Sequence, residues 1–378
     1  MQEIDHRDRD LLDSLQAEVP LSSTPFALIG QQIDMSEKEV LKRTDRLKKE
    51  GLIRQISGVF DPRACGYRLS LVAAKVDPDR IDAAAGAISG HPGVYQNYRR
   101  NHDFNLWFTI AVPPNSRLGL ERTVEILGGE AECEAVRLLP ALRSFKASAD
   151  AAHDDGGAEE EGTEGAGLTP AEIETIRLLQ KDLPLHPRPF DVLARGTKLS
   201  GDDLVAGARA FASRQQMRRF AALVDARRSN FSASVMGVWR VASDRIDAVG
   251  AAMAEHKSVS QCYLRPTYDD WPYNVFTIVH GRSVDECEAI LAELSAATGV
   301  HEMRALFPVK EFKRTRLAFF SPEYEAWEGP RLGQAERTAA SERPGLTNTD
   351  QPTPRTGAKS LYTLRSRAAG SSPRRPDS

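Results

Sequence analysis

Two stretches of the chain set cations among aromatic side chains in the same order. The first, HPGVYQNYRRNHDFNLWFTI from His91 to Ile110, carries Tyr98, Arg100 and His102 at alternate positions, then Asn105 and Trp107. The second, KSVSQCYLRPTYDDWPYNVFTI from Lys257 to Ile278, carries Tyr263, Arg265, Tyr268, Trp271 and Asn274. Arginine grips carboxylates through charge-assisted, often paired, hydrogen bonds. An imidazole titrates near neutrality, so His102, flanked by Arg99, Arg100 and Asp103, suits a proton donor or acceptor. Aromatic faces beside them suit a planar ring. Taken one at a time, these residues also read as surface ion pairs, a satisfied histidine and core aromatics. Their recurrence, with Arg100 and Arg265 each two residues past a tyrosine, points to a site for a flat, anionic ligand.

The elements that must position this pattern are strands. Tyr67 to Val76 reads as a strand, and an Ala-rich helix follows from about Asp79 to the Gly90-His91-Pro92-Gly93 stop. The strands VYQNYRR and FNLWFTIAV come next, joined at Asn101-His102-Asp103. A helix near Ser116 and a strand through Glu134 to Leu139 complete the order βαββαβ, that of a ferredoxin-like sheet with helices on one face. Its free face is available to meet a second sheet and enclose a flat cavity walled by aromatics and rimmed by arginine. Upstream, three helical patterns occupy Asp5 to Glu50, the third opening on a Ser36/Glu39 capping box. GLIRQISGVFDP then alternates like a small hairpin, which makes the unit a winged helix-turn-helix.

The whole programme repeats. Pro25-Phe26 and Ser36 answer Pro189-Phe190 and Ser200, and Asp79-Arg80-Ile81-Asp82 answers Asp244-Arg245-Ile246-Asp247. The fold class is therefore α+β, a tandem duplication of a winged helix-turn-helix plus a ferredoxin-like domain. The expected boundaries are 1–62 and 63–146 for the first pair, 147–167 for an acidic linker, 168–228 for a degenerate helix-turn-helix and 229–328 for the second ferredoxin-like domain. Residues 329–378 read as a disordered tail rich in Pro, Gly, Ser, Thr and Arg.

Composition narrows the function. The 378 residues carry 50 Lys and Arg against 53 Asp and Glu, a formal charge of -3, so no polyanion-binding field covers the molecule. The four cysteines, Cys65, Cys133, Cys262 and Cys287, show no metal-binding spacing and read as buried thiols; no metal site is expected. A Gly-rich phosphate loop and a Gly-x-Ser-x-Gly elbow are absent too. A charged N-terminus and the lack of a long apolar run predict a cytoplasmic protein with no membrane partner. DNA binding is disfavoured: Ser36 to Glu50 has six Lys or Arg, but the matching SGDDLVAGARAFASRQ opens on Asp202 and Asp203 and holds Gly207 mid-helix.

The combination of winged helix-turn-helix and ferredoxin-like domain resembles the Lrp/AsnC regulators. YRRNHDFNLWFT with YLRPTYDDWPYNVFT resembles, more specifically, the siroheme decarboxylases in their fused two-subunit form. That resemblance covers roughly Asp5 to Glu325. It implies loss of carbon dioxide from two acetate side chains of siroheme, at C12 and C18, to give 12,18-didecarboxysiroheme for haem d1 or an alternative haem route. The siroheme is the substrate, and no cofactor is implied. A homodimer and other tetrapyrrole-pathway enzymes are possible partners, and an Lrp/AsnC-like ligand-sensing regulator is the alternative function. The family's Tyr-x-Arg-x-His pattern falls on Tyr98, Arg100 and His102, and its Tyr-x-Arg-Pro pattern on Tyr263, Arg265 and Pro266. His102, as general acid or iron-side contact, and Arg100 are the implied catalytic pair. Arg265, Tyr98, Tyr263, Asn105, Trp107, Tyr268, Trp271 and Asn274 are the implied substrate contacts. Thr267 stands where the first half has His102, so either both losses occur at one site or another residue acts in the second half.

Overall fold

The structure, a computed structural model, describes residues 4–147, 167–224 and 233–341. Most of the expected linker and the tail beyond 341 lie outside the described residues.

The chain begins with α1 (His6–Ala17), α2 (Pro25–Gln32) and α3 (Glu37–Lys49). Asp5 and Asp8 form a reciprocal capping box on α1, and Pro25 opens α2 with its φ already helical. Only half of the box expected on α3 forms. Ser36 accepts from the Glu39 amide, but the Glu39 carboxylate turns to Arg43 and Arg7. In the second half, α6 (Pro170–Leu179), α7 (Pro189–Leu193) and α8 (Gly201–Ser213) repeat the unit. Here Asp203 closes a capping box with Ser200, and a Cβ at Gly207 would meet Thr175 Cγ2 at 2.8 Å. The acid and the glycine that set this helix apart in sequence thus cap it and let α6 approach closely.

The expected wing hairpin is corrected. Residues 53–60 form one strand, β1 (Ile53–Phe60), which pairs antiparallel with β7 (Met217–Val224) of the other half. Each wing finds its partner in its own duplicate, so no hairpin turn is needed, and both helical units share one core around Phe26, Phe60, Phe190, Phe211 and Phe220.

Each half then builds a five-stranded sheet. The first contains β2 (Arg68–Lys75), β3 (Val94–Arg100), β4 (Leu106–Val112) and β5 (Ala135–Leu139), backed by α4 (Ile81–Ser89) and α5 (Gly119–Glu130). The second contains β8 (Ala233–Trp239), β9 (Val259–Leu264), β10 (Val275–Gly281) and β11 (Met303–Leu306), backed by α9 (Ile246–Glu255) and α10 (Val284–Thr298). The fifth strands are exchanged. β6 (Arg143–Lys146) pairs with β9, and β12 (Pro308–Arg314) pairs with β3, giving the orders β11-β8-β10-β9-β6 and β12-β3-β4-β2-β5. Pro140 and Pro308 follow the last ferredoxin-like strands, and a proline cannot extend a ladder, so the chain departs for the other sheet. Phe145 of β6 then lies against Gly250 of α9, where a Cβ would meet its ring at 2.5 Å. Each ferredoxin-like unit, expected over 63–146 and 229–328, is thus completed by a strand from the other.

The tail is corrected too: α11 (Pro322–Ser341) continues through the expected boundary at 329. Tyr324 and Trp327 pack edge-on to His91, and Arg331 pairs with Glu130. The buried Glu328 carboxylate accepts from Ser116 Oγ at 2.6 Å and from the Arg117 and Leu118 amides at 3.0 Å. It supplies α5 with the side-chain cap that its own N-terminus lacks.

Candidate functional site

The two sheets meet through their helix-free faces. Leu71, Ala73, Trp107 and Leu139 of the first, with the adjoining Phe104, interdigitate with Met236, Val238, Phe276 and Leu306 of the second and with Trp271 and Tyr273 from the insertion before β10. The slot expected between the sheets is filled at its centre. Trp271 is fully buried, with ring centroids 5.2 Å from both Trp107 and His102. Trp107 is buried too and donates from its indole nitrogen to the Phe104 carbonyl at 2.7 Å. Both indoles expected to stack on a ligand lie in the inter-sheet core.

Around that core, the two arginines occupy equivalent places. Strand alternation sets Gln96, Tyr98 and Arg100 on the inner face of β3, and Gln261 and Tyr263 of β9, followed by Arg265, on the inner face of the second sheet. Arg100 Nη1 donates to the Leu306 carbonyl at 2.8 Å, and Arg265 Nη1 donates to the Leu139 carbonyl. Each guanidinium therefore crosses to the end of the last ferredoxin-like strand of the other half. Arg100 also lies over Tyr98 and Trp107, and Arg265 over Tyr263 and Phe276, at 5.2 to 6.0 Å from the ring centroids. Arg265 is 1% exposed, whereas Arg100 is half-buried. Pairing two cations with aromatic faces and carbonyls inside the protein creates a positive interior suited to carboxylates.

His102 is half-buried in the turn between β3 and β4. Its Nδ1 accepts from the Phe104 amide at 3.0 Å, which places the proton of a neutral ring on Nε2. Burial lowers its pKa from the usual value, Asp103 opposes that shift and Arg304 adds to it. At neutral pH the ring is uncharged and offers one N–H.

Other expected site residues have structural duties. Asn105 donates to the Val76 carbonyl and accepts from its amide, and Asn274 does the same with Val241. With these amide groups engaged by the backbone, the two asparagines fix the start of the central strands. Tyr268 is exposed, donates to the Leu138 carbonyl at 2.7 Å and lies under Arg137, which in turn pairs with Asp270. This knits the insertion of the second half to β5 of the first.

Gln96 and Gln261 were missed by the sequence reading, although they stand two residues before each Tyr-x-Arg, at one shared offset. Both are buried, and Gln261 Oε1 and Thr109 Oγ1 have no hydrogen-bond partner in the structure. A cavity of about 260 Å³ lies elsewhere, lined by Gln55, Arg177, Lys181 and Arg316 among others and by none of the Tyr-x-Arg residues. Among the described residues no His, Cys, Asp or Glu group is arranged to hold a metal ion. No helix among them is long and apolar enough to cross a membrane. Cys65, Cys262 and Cys287 are buried, and burial pushes the first two thiols up to about 12.

The basic face of α3 is largely engaged. Arg43 pairs with Asp5, Asp8 and Glu39, Arg46 with Asp8, Lys48 with Asp182 and Lys49 with Asp45. Cations held this way are poorly placed to neutralise phosphates.

Comparison with known proteins agrees with this architecture. The AsnC-like ligand binding domain family matches residues 64–146 and 229–313, and the siroheme decarboxylase NirDL-like HTH domain family matches residues 8–54 and 172–218. The chain is 33% identical over 322 residues to a siroheme decarboxylase of Hydrogenobacter thermophilus, covering 84% of this chain and 96% of that protein. It is 31% identical to the siroheme decarboxylase NirDL subunit of Paracoccus denitrificans, covering 82% and 96%. The alpha subunit of the Desulfovibrio desulfuricans siroheme decarboxylase is 39% identical but spans only 39% of this chain, about one half of the duplication. The crystal structure of the siroheme decarboxylase NirDL superposes with a TM-score of 0.71 at 31% identity, covering 88% of this chain and all of that one. A second NirDL structure, in co-complex with an iron-uroporphyrin III analogue, superposes equally well at 30% identity, covering 87% and 100%.

Proposed function

The chain belongs to the siroheme decarboxylase family, and from that premise we propose that it removes two acetate carboxyl groups of siroheme, those at C12 and C18. The product is 12,18-didecarboxysiroheme, an intermediate toward haem d1 or haem. The observation that carries this reading is the match along 96% of the Hydrogenobacter thermophilus siroheme decarboxylase, through both halves of the duplication.

The chemistry asks little of the protein. Breaking the bond between the acetate methylene and its carboxylate leaves an electron pair that the conjugated macrocycle delocalises, and one proton then completes the methyl group. On this reading no separate organic cofactor is needed, because the substrate is its own electron sink. What the chain supplies is position, a water-poor setting and the proton. The assignment of Arg100 and Arg265 to carboxylates that remain on the ring rests on their equivalent settings against tyrosine. Tyr98 and Tyr263 flank those anchors on the same face.

His102 belongs to the first half-site. With Nδ1 accepting from Phe104, the neutral ring donates a hydrogen bond through Nε2, and it becomes a proton donor only after protonation releases that amide. Anaerobic incubation of the protein with siroheme, read by product mass, tests the activity: loss of two carbon dioxide units is expected, and unchanged siroheme refutes the reading. The regulator alternative requires recognition helices with available cations, which the ion pairs of α3 and the capping acid of α8 disfavour.

A further inference from the structure

Away from the inter-sheet site, the cavity of about 260 Å³ gathers cations without gathering acids. It lies where β1 and the end of α6 meet residues 315–320, the segment that runs from β12 toward α11. Arg177 and Lys181 line it from the helical side and Arg316 from the segment, and no Asp or Glu is among its lining residues. Arg316 is half-buried and donates to Ser57 Oγ at 3.1 Å and to the Gly58 carbonyl at 3.5 Å. Neither Arg316 nor Lys181 has a carboxylate partner among the described residues. Arg177 donates from Nε to the Phe320 carbonyl at 2.5 Å, and its Nη groups reach Glu174 and Glu325 only at 3.9 and 3.7 Å. Burial lowers the pKa of Arg316 from its usual value, yet a guanidinium stays charged in a protein. A charge that has given up water without gaining a counter-ion is costly, and a bound anion offsets that cost.

The duplication shows that the shared architecture does not require these cations. The Val19 amide donates to the Phe220 carbonyl as the Leu183 amide does to that of Ile56, which fixes the equivalence of α1 with α6. At the same offset Arg177 and Lys181 answer to Asp13 and Ala17. Lys313 and Lys146 likewise match, each donating to carbonyls at the C-terminal end of the helix behind its sheet, and three residues on Arg316 answers to Ala149 in the sequence. One half thus places three cations where the other has one acid and two alanines. The walls around them are pinned in advance. The Gln180 side chain exchanges two hydrogen bonds with the Phe319 backbone, Gln55 donates to the Gln180 carbonyl at 2.6 Å, and Phe319 and Phe320 pack on Phe60 and Tyr67. A preformed wall spares a ligand the cost of ordering it.

We infer that this cavity binds a small, multiply charged oxyanion, a phosphate or a di- or tricarboxylate, held by Arg177, Lys181 and Arg316 and separate from the Tyr-x-Arg site. Each guanidinium donates to oxygens through a planar fork, and the Lys181 ammonium adds a point charge at the mouth. The inference does not depend on the siroheme reading. Residues 315–320 continue directly from β12, which pairs with β3, the strand of Tyr98 and Arg100. An occupied cavity therefore ties the helical units to the edge strand beside the first Tyr-x-Arg pair.

The test is calorimetric titration of the full chain with inorganic phosphate and, separately, with citrate, against chloride at matched ionic strength, with thermal unfolding in parallel. Saturable binding of at least one oxyanion is expected, with a rise in Tm that chloride does not reproduce. The tighter binder of the two distinguishes a phosphate site from a carboxylate site. Lys181→Glu, at an exposed position, should weaken that Kd by about tenfold or more while the fold stays intact. Arg316→Gln should weaken it as well; if that variant does not fold by circular dichroism, Lys181→Glu carries the test. An equal response to chloride overturns the inference, and so does wild-type affinity in Lys181→Glu. Displacement of the oxyanion in proportion to added siroheme also overturns it, because the anion then sits at the Tyr-x-Arg site. Binding is read from the oxyanion itself, so failure of the siroheme reading leaves these outcomes unchanged.

Discussion

Arg265 stands both in the proposed site and in the joint between the two sheets, and one substitution separates these roles. Arg265→Met keeps most of the stem and removes the guanidinium, its hydrogen bond to the Leu139 carbonyl and its approach to Tyr263 and Phe276. A hydrogen bond from a charged donor contributes about 1.5–3 kcal/mol, and the cation–aromatic contacts about 0.5–2 kcal/mol each. Removing a buried charge returns part of that sum as relieved desolvation. The expected net loss of stability is about 2–4 kcal/mol, read as a lower denaturation midpoint with unchanged slope. If the same guanidinium grips a substrate carboxylate, affinity falls by a further 2–5 kcal/mol or so. That corresponds to roughly a 30- to 5,000-fold weaker Kd, measured by titrating siroheme under conditions where the variant is folded. Arg265→Lys retains the charge but not the fork and should fall between the two. A variant that loses stability yet binds siroheme with wild-type affinity refutes the anchor and leaves a strut between the halves.

Three further outcomes concern the framework. Burial, with Lys313 and Arg331 nearby, lowers the pKa of His91 to about 3, so the folded protein keeps this ring neutral while the unfolded chain protonates near pH 6.5. Its contribution is complete above pH 6.5 and is lost as the pH falls from there toward 3. The acid limb should therefore be shallower in His91→Gln, by up to about 1.4 kcal/mol per pH unit in urea unfolding. Glu328→Ala removes the cap on α5 and should lower stability by about 1–2 kcal/mol; an unchanged melting temperature shows that the cap is dispensable. Gly250→Ala places a methyl against the Phe145 ring and should cost about 1–3 kcal/mol despite alanine's better helix propensity, whereas a stabilised variant means that β6 shifts freely.

The duplication, the βαββαβ order and the Tyr-x-Arg pairs were legible because they are local patterns repeated at constant offsets. The exchange of β6 and β12 was not, since alternation identifies a strand without naming its partner. Pro140 and Pro308 mark where the ladders break but leave the destination open. Asn105 and Asn274 entered the candidate site through the repeated motif and the family resemblance, and only the structure shows their amides closing on Val76 and Val241. Gln96 and Gln261 were available to the same repeat logic and were passed over for more conspicuous charges. Glu328 acts on a helix more than two hundred residues earlier, and no sequence spacing encodes that contact.

The exchanged strands also constrain how the protein is made. Arg100 and the Leu306 carbonyl are 206 residues apart, and β12 follows directly, so the first sheet stays unfinished at one edge until β12 has been synthesised. The early half must wait with an unpaired β3 edge, a surface prone to join another chain. Tethering the halves makes closure of that edge intramolecular, so it occurs at a fixed effective concentration however dilute the protein becomes.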